Sequence, residues 1–140
     1  TPPGSAYPPI CDLRPIRGDV IVNGPGGQIV LTPFEVVHGT IPALGFRIAD
    51  VAYLPDVSDI PAASWTHLHD LDIWIVDALR RTPHPSHSHL SQTLEWIARA
   101  APRQAVLTNM HIDLDYATLC NELPDSVIPA YDGLTLTRSA

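Results

Sequence analysis

Two short apolar runs constrain the fold more than any other feature of the sequence. "DIWIVDAL" at residues 72–79 and "QAVLT" at 104–108 are runs typical of strands that are buried on both faces. Between them, leucine, isoleucine and alanine side chains fall at helical spacing and predict a helix over 89–101, with Ser88 as its N-cap. Strand and helix therefore alternate here, which favours a layered α/β arrangement.

The rest of the chain is interpreted as short strands, turns and two further helices. Residues 1–19 are rich in proline and form an irregular entry segment. Because aspartate tolerates turn geometry, "AD" at 49–50 predicts a tight hairpin. We predict strands over 20–22, 28–38, both arms of 45–54 and 127–137, a turn at "GPGG" 24–27, a turn at 131–133, and short helices over 61–71 and 115–123.

Composition limits the class of protein. With 140 residues, 45% hydrophobic and 16% charged, the chain fits one globular domain over 1–140. Its formal net charge is −7 and it has no basic cluster beyond Arg80 and Arg81, which argues against a nucleic-acid partner. Cys11 and Cys120 match no metal-binding spacing, and no signal peptide or membrane-length apolar run is found. We therefore expect a soluble cytoplasmic protein with reduced thiols and no membrane partner.

Four histidine and aspartate residues follow predicted strands. His38 ends "FEVV", Asp56 follows "VAYLP", His87 lies in the loop after "DIWIVDAL", and His111 follows "QAVLTNM". Loops at the carboxyl ends of strands converge over the edge of an α/β sheet. One such residue is usually a turn or cap residue, but four in succession indicate a site assembled across loops. Imidazole and carboxylate are ligands for zinc, manganese or iron, and a carboxylate can bridge two ions.

Five stretches carry a resemblance that runs over almost the full chain. They are "TPPGSAYPP", "VVHGTIPALGFRIADVAYLPDVSDIP", "VDALRRTPHPSHSHLSQTLEWI", "LTNMHIDLDY" and "PAYDGLTL". Together they resemble the C-terminal half of a metallo-β-lactamase-fold hydrolase, closest to the phosphoribosyl cyclic phosphodiesterase branch. The resemblance implies an α/β fold that is half of an αββα sandwich, with a mixed sheet and helices on one face.

The resemblance also implies a role for each of the four residues. His38 matches a metal ligand in the "HG" step, Asp56 in "YLPD" matches a carboxylate that bridges two metals, and His111 in "LTNMH" matches a ligand of the second metal. His87 ends "PHPSH", which is similar to the family's "PHPTH", and is the implied general acid or oxyanion partner at the phosphate. The implied cofactors are two divalent ions, zinc or manganese. The implied reaction is hydrolysis of a small cyclic or nucleotide-like phosphate ester by a metal-held hydroxide.

The remaining histidines have structural interpretations. His84 is expected to stabilise its loop, and His89 is expected to cap the helix or to face solvent at its start. His67 and His69 lie in the polar segment "WTHLHDL" and are also expected to be structural.

Three aspartates are candidates for supporting roles. Asp77 ends a buried strand, where orienting a metal ligand and plain hydrogen bonding are equally good interpretations. Asp113 and Asp115 are expected near the start of the helix over 115–123, where the helix dipole favours negative charge.

One motif of the family is missing from the sequence. An HxHxDH loop should precede "TPPGSAYPP", and "HSH" at 87–89 and "HLH" at 67–69 match only its first three positions. Without it the predicted ligands cannot build a binuclear centre, and an isolated half-sandwich would expose an apolar face. We therefore expect a fragment or split product that is inactive alone and is completed by the N-terminal half or by a homo-oligomer partner. The alternative is an interaction module without catalysis. A metal-free phosphate-binding domain is disfavoured because "NGPGG" at 23–27 does not open a helix.

Overall fold

In the part of the chain that the structure describes, seven strands form one mixed sheet, in the order in which they occur along the chain. The computed structural model describes residues 11–138. Its strands are β1 (Val20–Gly24), β2 (Gly27–His38), β3 (Ile41–Ile48), β4 (Val51–Leu54), β5 (Ile73–Asp77), β6 (Gln104–Thr108) and β7 (Val127–Pro129). A 3-10 helix at Ala62–His67 and the α-helices α1 (Leu90–Ala100) and α2 (Tyr116–Glu122) complete the secondary structure.

Strand direction decides which loops meet. From β1 to β4 each strand pairs antiparallel with the next, whereas β4, β5, β6 and β7 pair in parallel. As a result β2 runs in the same direction as the four parallel strands. The carboxyl ends of these five strands therefore lie at one edge of the sheet, which we call the carboxyl edge.

The core lies on one face of the sheet. In the register of the parallel strands Leu54 lies beside Val76, and Val76 beside Leu107, and all three side chains are fully buried. Leu90 and Ile97 of α1 belong to the same apolar cluster. Burial of each of these side chains contributes about 1.5–3 kcal/mol, so this cluster fixes where α1 lies against the sheet.

Several sequence predictions are confirmed. The strands over 28–38 and 104–108 and the hairpin at 49–50 are present, and the chain reverses between β1 and β2 within "GPGG". In the hairpin at 49–50 it is Ala49, with φ 53°, that takes up the left-handed conformation. Residues 11–19 contain no helix or strand, as expected of an irregular segment, and positions 1–10 lie outside the described residues. Within residues 11–138 no helix is long and apolar enough to cross a membrane.

The helix predicted over 61–71 is present only in part. Only Ala62–His67 is helical, and it has 3-10 geometry. The guanidinium of Arg47 donates to the carbonyl oxygens of His67 and His69 at 2.9 and 2.8 Å, and Asp70 has φ 50°. Since an α-helix needs such carbonyl groups for its own N–H groups and cannot continue through a positive φ, the helix ends early.

Two other boundaries differ from the sequence predictions. The strands predicted over 127–137 reduce to β7, because a turn at Asp132 and Gly133 follows it and no strand follows the turn up to residue 138. Ser88 is not the N-cap of α1. Its hydroxyl is buried and donates to the main-chain oxygen of Asp77 at 2.7 Å, and His89 occupies the cap position without a side-chain cap bond. The described fold is thus the predicted α/β arrangement, with a shorter final strand and a different residue at the start of α1.

Candidate metal centre

Three of the four predicted site residues meet at the carboxyl edge. His38 is the last residue of β2, Asp56 lies just beyond β4, and His87 lies in the loop between β5 and α1. One ligand atom from each lies within 4.8 Å of the others. We call these three residues the donor group.

The path of the chain after β4 explains how Asp56 reaches His38. The main-chain N–H of Val37 donates to the oxygen of Asp59 at 3.0 Å, and the N–H of Ser58 donates to the oxygen of Val37 at 2.7 Å. The hydroxyl of Ser58 also accepts from the N–H of Gly39 at 3.0 Å. These bonds tie the segment after β4 to the end of β2, although β3 separates the two strands in the sheet.

A glycine allows the histidine loop to approach His38. Gly39 has φ 63°, a conformation that favours glycine, and a Cβ atom built on it would lie 2.9 Å from Cβ of Ser86. Ser86 neighbours His87, whose ring meets the ring of His38 edge to face with centroids 4.6 Å apart. Because Gly39 follows His38 and Ser86 precedes His87, the close approach of these two backbones brings the two histidine rings together.

The imidazole of His87 is held by a buried carboxylate. Its Nδ1 atom lies 2.8 Å from Oδ2 of Asp77, which has no exposed surface, and 3.9 Å from Oδ1 of Asp56. Burial raises the pKa of the Asp77 carboxyl group, while its hydrogen bond with His87 opposes that rise. Asp77 thus contacts a site residue directly, and its role as an orienting group stays a prediction.

The loop that carries His87 is braced by short-range bonds. The Arg80 guanidinium donates to the carbonyl oxygens of Thr82 and Pro83 at 3.1 and 2.6 Å. Nδ1 of His84 accepts from the N–H of Ser86 at 3.3 Å, which fits the loop-stabilising role expected of His84. Desolvation, followed by the charge of Arg80, lowers the pKa of His84, so this imidazole favours its neutral form.

The structure does not bring His111 into the donor group. Its Nδ1 atom lies 2.8 Å from Oδ1 of Asp113, and its side chain is 59% exposed. This hydrogen bond lowers the pKa of the Asp113 carboxyl group. Asp115 rather than Asp113 is the N-cap of α2, accepting from the N–H of Thr118 at 2.8 Å. The assignment of His111 to a second metal ion stays a prediction.

The other two histidines lie away from the donor group. The ring of His67 stacks on Phe34 with centroids 5.1 Å apart, and Nδ1 of His69 pairs with the Asp70 carboxylate at 2.8 Å. Both contacts fit the structural roles that the sequence indicates.

Sequence reasoning missed Asn109, which follows β6. Its φ of 59° places it in the left-handed region, and its Nδ2 atom lies 3.3 Å from both Oδ1 of Asp77 and Nδ1 of His87. Asparagine tolerates this conformation better than most residues, so an asparagine directly after a predicted strand was the available signal. Its side chain contacts both Asp77 and His87, and no local pattern encodes these contacts.

The donor group fits a divalent metal ion. Nδ1 of His38 is buried and has no hydrogen-bond partner, a state that costs free energy unless a ligand satisfies the atom. Two imidazoles and a carboxylate are donors that zinc and manganese accept. Three protein donors also leave a coordination position for water or for a ligand from outside this chain.

Comparison with known proteins identifies the family. A sequence profile of the Beta-lactamase superfamily domain matches residues 9–112, well over half of the chain. The chain belongs to this family. The resemblance that the sequence motifs indicate is thereby confirmed.

Solved structures of related proteins share the fold. The chain is similar to a diphosphatase from the PhnP family, with a TM-score of 0.83 and 32% identity over 91% of this chain and 49% of that chain. It is also similar to the metallo-beta-lactamase fold protein YhfI from Bacillus subtilis, with a TM-score of 0.66 and 16% identity over 85% of this chain and 53% of that chain. It is similar as well to human tRNase Z, short form, with a TM-score of 0.63 and 17% identity over 80% of this chain and 43% of that chain. The last two show the fold alone, and together the three confirm the predicted metallo-β-lactamase-type α/β class.

The chain spans about half the length of these solved structures. An octanoyltransferase of Porphyromonas gingivalis (strain ATCC BAA-308 / W83) is 28% identical over 135 residues, which is 94% of this chain and 26% of that protein. Because the match covers about a quarter of that family relative, its name assigns no activity to the matched segment.

Proposed function

We propose that the chain forms part of a metal-dependent hydrolase that acts on a small phosphate ester, in particular a cyclic or nucleotide-like phosphodiester. The observation that carries this proposal is the donor group of His38, Asp56 and His87, whose ligand atoms lie within 4.8 Å of one another. The similarity to a PhnP-family diphosphatase at 32% identity supports phosphorus chemistry rather than hydrolysis of an amide.

His38 and Asp56 would hold the metal, with His111 as the proposed ligand of a second ion. Zinc or manganese would supply an activated water molecule and neutralise charge on the phosphate. The Asp56 side chain is 54% exposed at the carboxyl edge, so its carboxylate is accessible to a further cation. A shared carboxylate of this kind holds two cations together because each gains an anionic partner.

His87 would protonate the leaving-group oxygen. Its Nδ1 atom is engaged by Asp77 at 2.8 Å, which leaves Nε2 as the nitrogen that can deliver a proton. The carboxylate of Asp77 stabilises the charged imidazole before the transfer and fixes the plane of the ring. Membership of the donor group supports a second possibility, in which His87 is itself a ligand.

The proposed enzyme needs ligands beyond those of the donor group. We propose that they come from a segment that packs on the sheet face opposite the core, either the N-terminal half of the domain or a second copy of the chain. Leu44 and Tyr53 lie on that face and are 39% and 43% exposed. An exposed apolar surface is commonly covered by a partner. The competing proposal is an interaction module, in which the chain pairs with a partner through this exposed face and has no catalytic activity.

Metal analysis and hydrolysis assays test the function directly. We expect the 140-residue chain alone to bind zinc or manganese weakly and to hydrolyse bis-nitrophenyl phosphate at the background rate. Adding the segment that completes the domain should raise both metal content and turnover. A complete domain that binds no divalent metal, or that binds it and hydrolyses no phosphate ester, would contradict the proposal.

The exposed thiols of Cys11 and Cys120 are free. We propose a reducing compartment, the cytoplasm, for this protein, since such thiols persist there. Fractionation of cells that express the tagged protein would test the location.

A further inference from the structure

Asp77 links three parts of the site through one carboxylate. Its Oδ2 atom lies 2.8 Å from Nδ1 of His87 and accepts from the main-chain N–H of Val57 at 3.3 Å. Its Oδ1 atom accepts from the side-chain amide of Asn109 at 3.3 Å. The carboxylate is fully buried, so these three neighbours determine its orientation.

Asn109 holds the other side of the segment that carries Asp56. Its Nδ2 atom lies 3.4 Å from the carbonyl oxygen of Pro55. Pro55 and Val57 flank Asp56 in the sequence, so Asn109 bonds the residue before it and Asp77 bonds the residue after it. The backbone on both sides of Asp56 is therefore tied to the pair that also contacts His87.

The 2.8 Å contact between Nδ1 of His87 and Oδ2 of Asp77 favours one tautomer of His87, and the contacts of the Asn109 amide are compatible with it. The amide has two N–H groups, and the nearby acceptors are the oxygens of Pro55 and Asp77, at 3.4 and 3.3 Å, and Nδ1 of His87, at 3.3 Å. If both hydrogens serve the oxygens, Nδ1 carries the imidazole proton and donates it to Oδ2 of Asp77. The opposite tautomer would place the lone pair of Nδ1 against a carboxylate oxygen at 2.8 Å.

We infer that Asp77 and Asn109 are positioning residues that set the Nδ1–H tautomer of His87 and hold Asp56 at a fixed distance from it. Neither residue touches the reacting atoms in this arrangement. The inference about the tautomer and the backbone stands on these contacts alone, and only its consequence for turnover rests on the proposed function. It accounts for an asparagine with positive φ at the end of β6, because the left-handed backbone accompanies the placement of its amide between Pro55 and Asp77.

Nitrogen-15 NMR of histidine-labelled chain tests the tautomer without metal or substrate. At a pH where the imidazoles are neutral, we expect His87 to show a protonated Nδ1 and an unprotonated Nε2. In Asp77→Ala the resonances should shift toward the opposite tautomer, because the acceptor for the Nδ1 proton is removed. In Asn109→Gly, which keeps the left-handed backbone and removes the amide, the His87 resonances should change because the Asp77 carboxylate loses the bond to its Oδ1 atom that orients it. An Nε2–H tautomer in the unsubstituted chain, or His87 resonances that are unchanged in a folded Asp77→Ala or Asn109→Gly variant, would overturn the inference.

The exposed pair of His111 and Asp113 provides a matched control. Asp113→Ala removes a carboxylate that also lies 2.8 Å from an imidazole Nδ1 atom, and it should alter the His111 resonances while leaving those of His87 unchanged. A change in the His87 resonances in this control would show that they respond to distant changes, and it would overturn the assignment of the His87 tautomer to Asp77 and Asn109.

The second readout is the turnover of the completed domain, which is this chain together with the segment that supplies the remaining ligands. Groups that orient a reacting residue usually contribute a factor of about 10–100, so Asn109→Gly should lower kcat by that factor with KM nearly unchanged. If the NMR result holds and the completed domain has no phosphoesterase activity, the proposed function fails and the positioning role survives. If kcat of the variant equals that of the unsubstituted enzyme, the consequence for catalysis is wrong.

Discussion

The rings of His38 and His87 meet edge to face with their centroids 4.6 Å apart. This contact joins the end of β2 to the loop after β5 and places an expected proton donor beside an expected metal ligand. His87 could act as the proton donor or as a metal ligand. Only in the second role should its removal lower the metal content.

Replacing His87 with alanine separates those roles. As a proton donor, His87 is expected to contribute a factor of about 10²–10⁴ to turnover of the completed domain, while the bound metal stays near normal. The loss should be smaller for nitrophenyl esters, because nitrophenolate leaves without much protonation. Parallel metal analysis and kinetics check both statements.

His89→Ala is the matched control for that experiment. His89 occupies the cap position of α1 without a side-chain cap bond, so its removal should change activity only slightly. Loss of metal from His87→Ala would identify His87 as a ligand. If His89→Ala lowered activity more than His87→Ala does, the proton-donor role would belong to His89 rather than to His87.

Asp56→Ala should abolish binuclear metal binding and nearly all activity. The physical reason is that two cations would lose the anion they share. Metal stoichiometry measured on the completed domain checks this, with the exposed Asp125→Ala as a control that should keep normal metal content. Two equivalents of metal in the Asp56 variant would rule out the bridging role.

Gly39→Ala should destabilise the fold and disturb the donor group together. The new Cβ would lie 2.9 Å from that of Ser86, and the backbone would keep φ 63°, which together should lower the free energy of unfolding by about 1–3 kcal/mol. Urea denaturation measures the loss. Gly18→Ala, where a Cβ meets no atom within 4 Å, should show almost none, and equal stability of both variants would contradict the close approach.

Asp115→Ala should lower the melting temperature in a pH-dependent way. Hydrogen bonds from the side chain and main chain of Thr118 lower the pKa of Asp115 below its ordinary value of 3.8. Since the folded pKa is depressed, this carboxylate stabilises α2 at neutral pH, and the stabilisation is lost as pH falls through the folded pKa.

Thermal unfolding measured at neutral pH and below pH 3.8 checks the sign of this effect. The difference between the unsubstituted chain and Asp115→Ala should narrow in acid. Thr118→Ala, which keeps the main-chain bond to Asp115, should cause a smaller loss with the same trend. A difference that does not change with pH would show that the cap does not depend on charge.

The sequence by itself determined the main elements and the types of donor. Apolar patterns are local, so the strands over 28–38 and 104–108 and most of the helix over 89–101 could be predicted from spacing. The histidine and aspartate residues after strands indicated a metal site, because imidazole and carboxylate groups can bind divalent ions whatever fold carries them. The motifs also indicated the family, which the match over residues 9–112 confirms.

Only the tertiary structure decided which polar residues share a contact. Asp77 fitted two roles in the sequence, and Asn109 fitted none, yet both contact His87. Ser88, a plausible cap by position, is buried instead, with its hydroxyl on the main chain of Asp77. His38 ends a strand and His111 lies three residues after one, but His111 bonds to Asp113 and lies outside the donor group. Local patterns cannot supply these outcomes, because they depend on strand direction and on the path of each loop over the carboxyl edge.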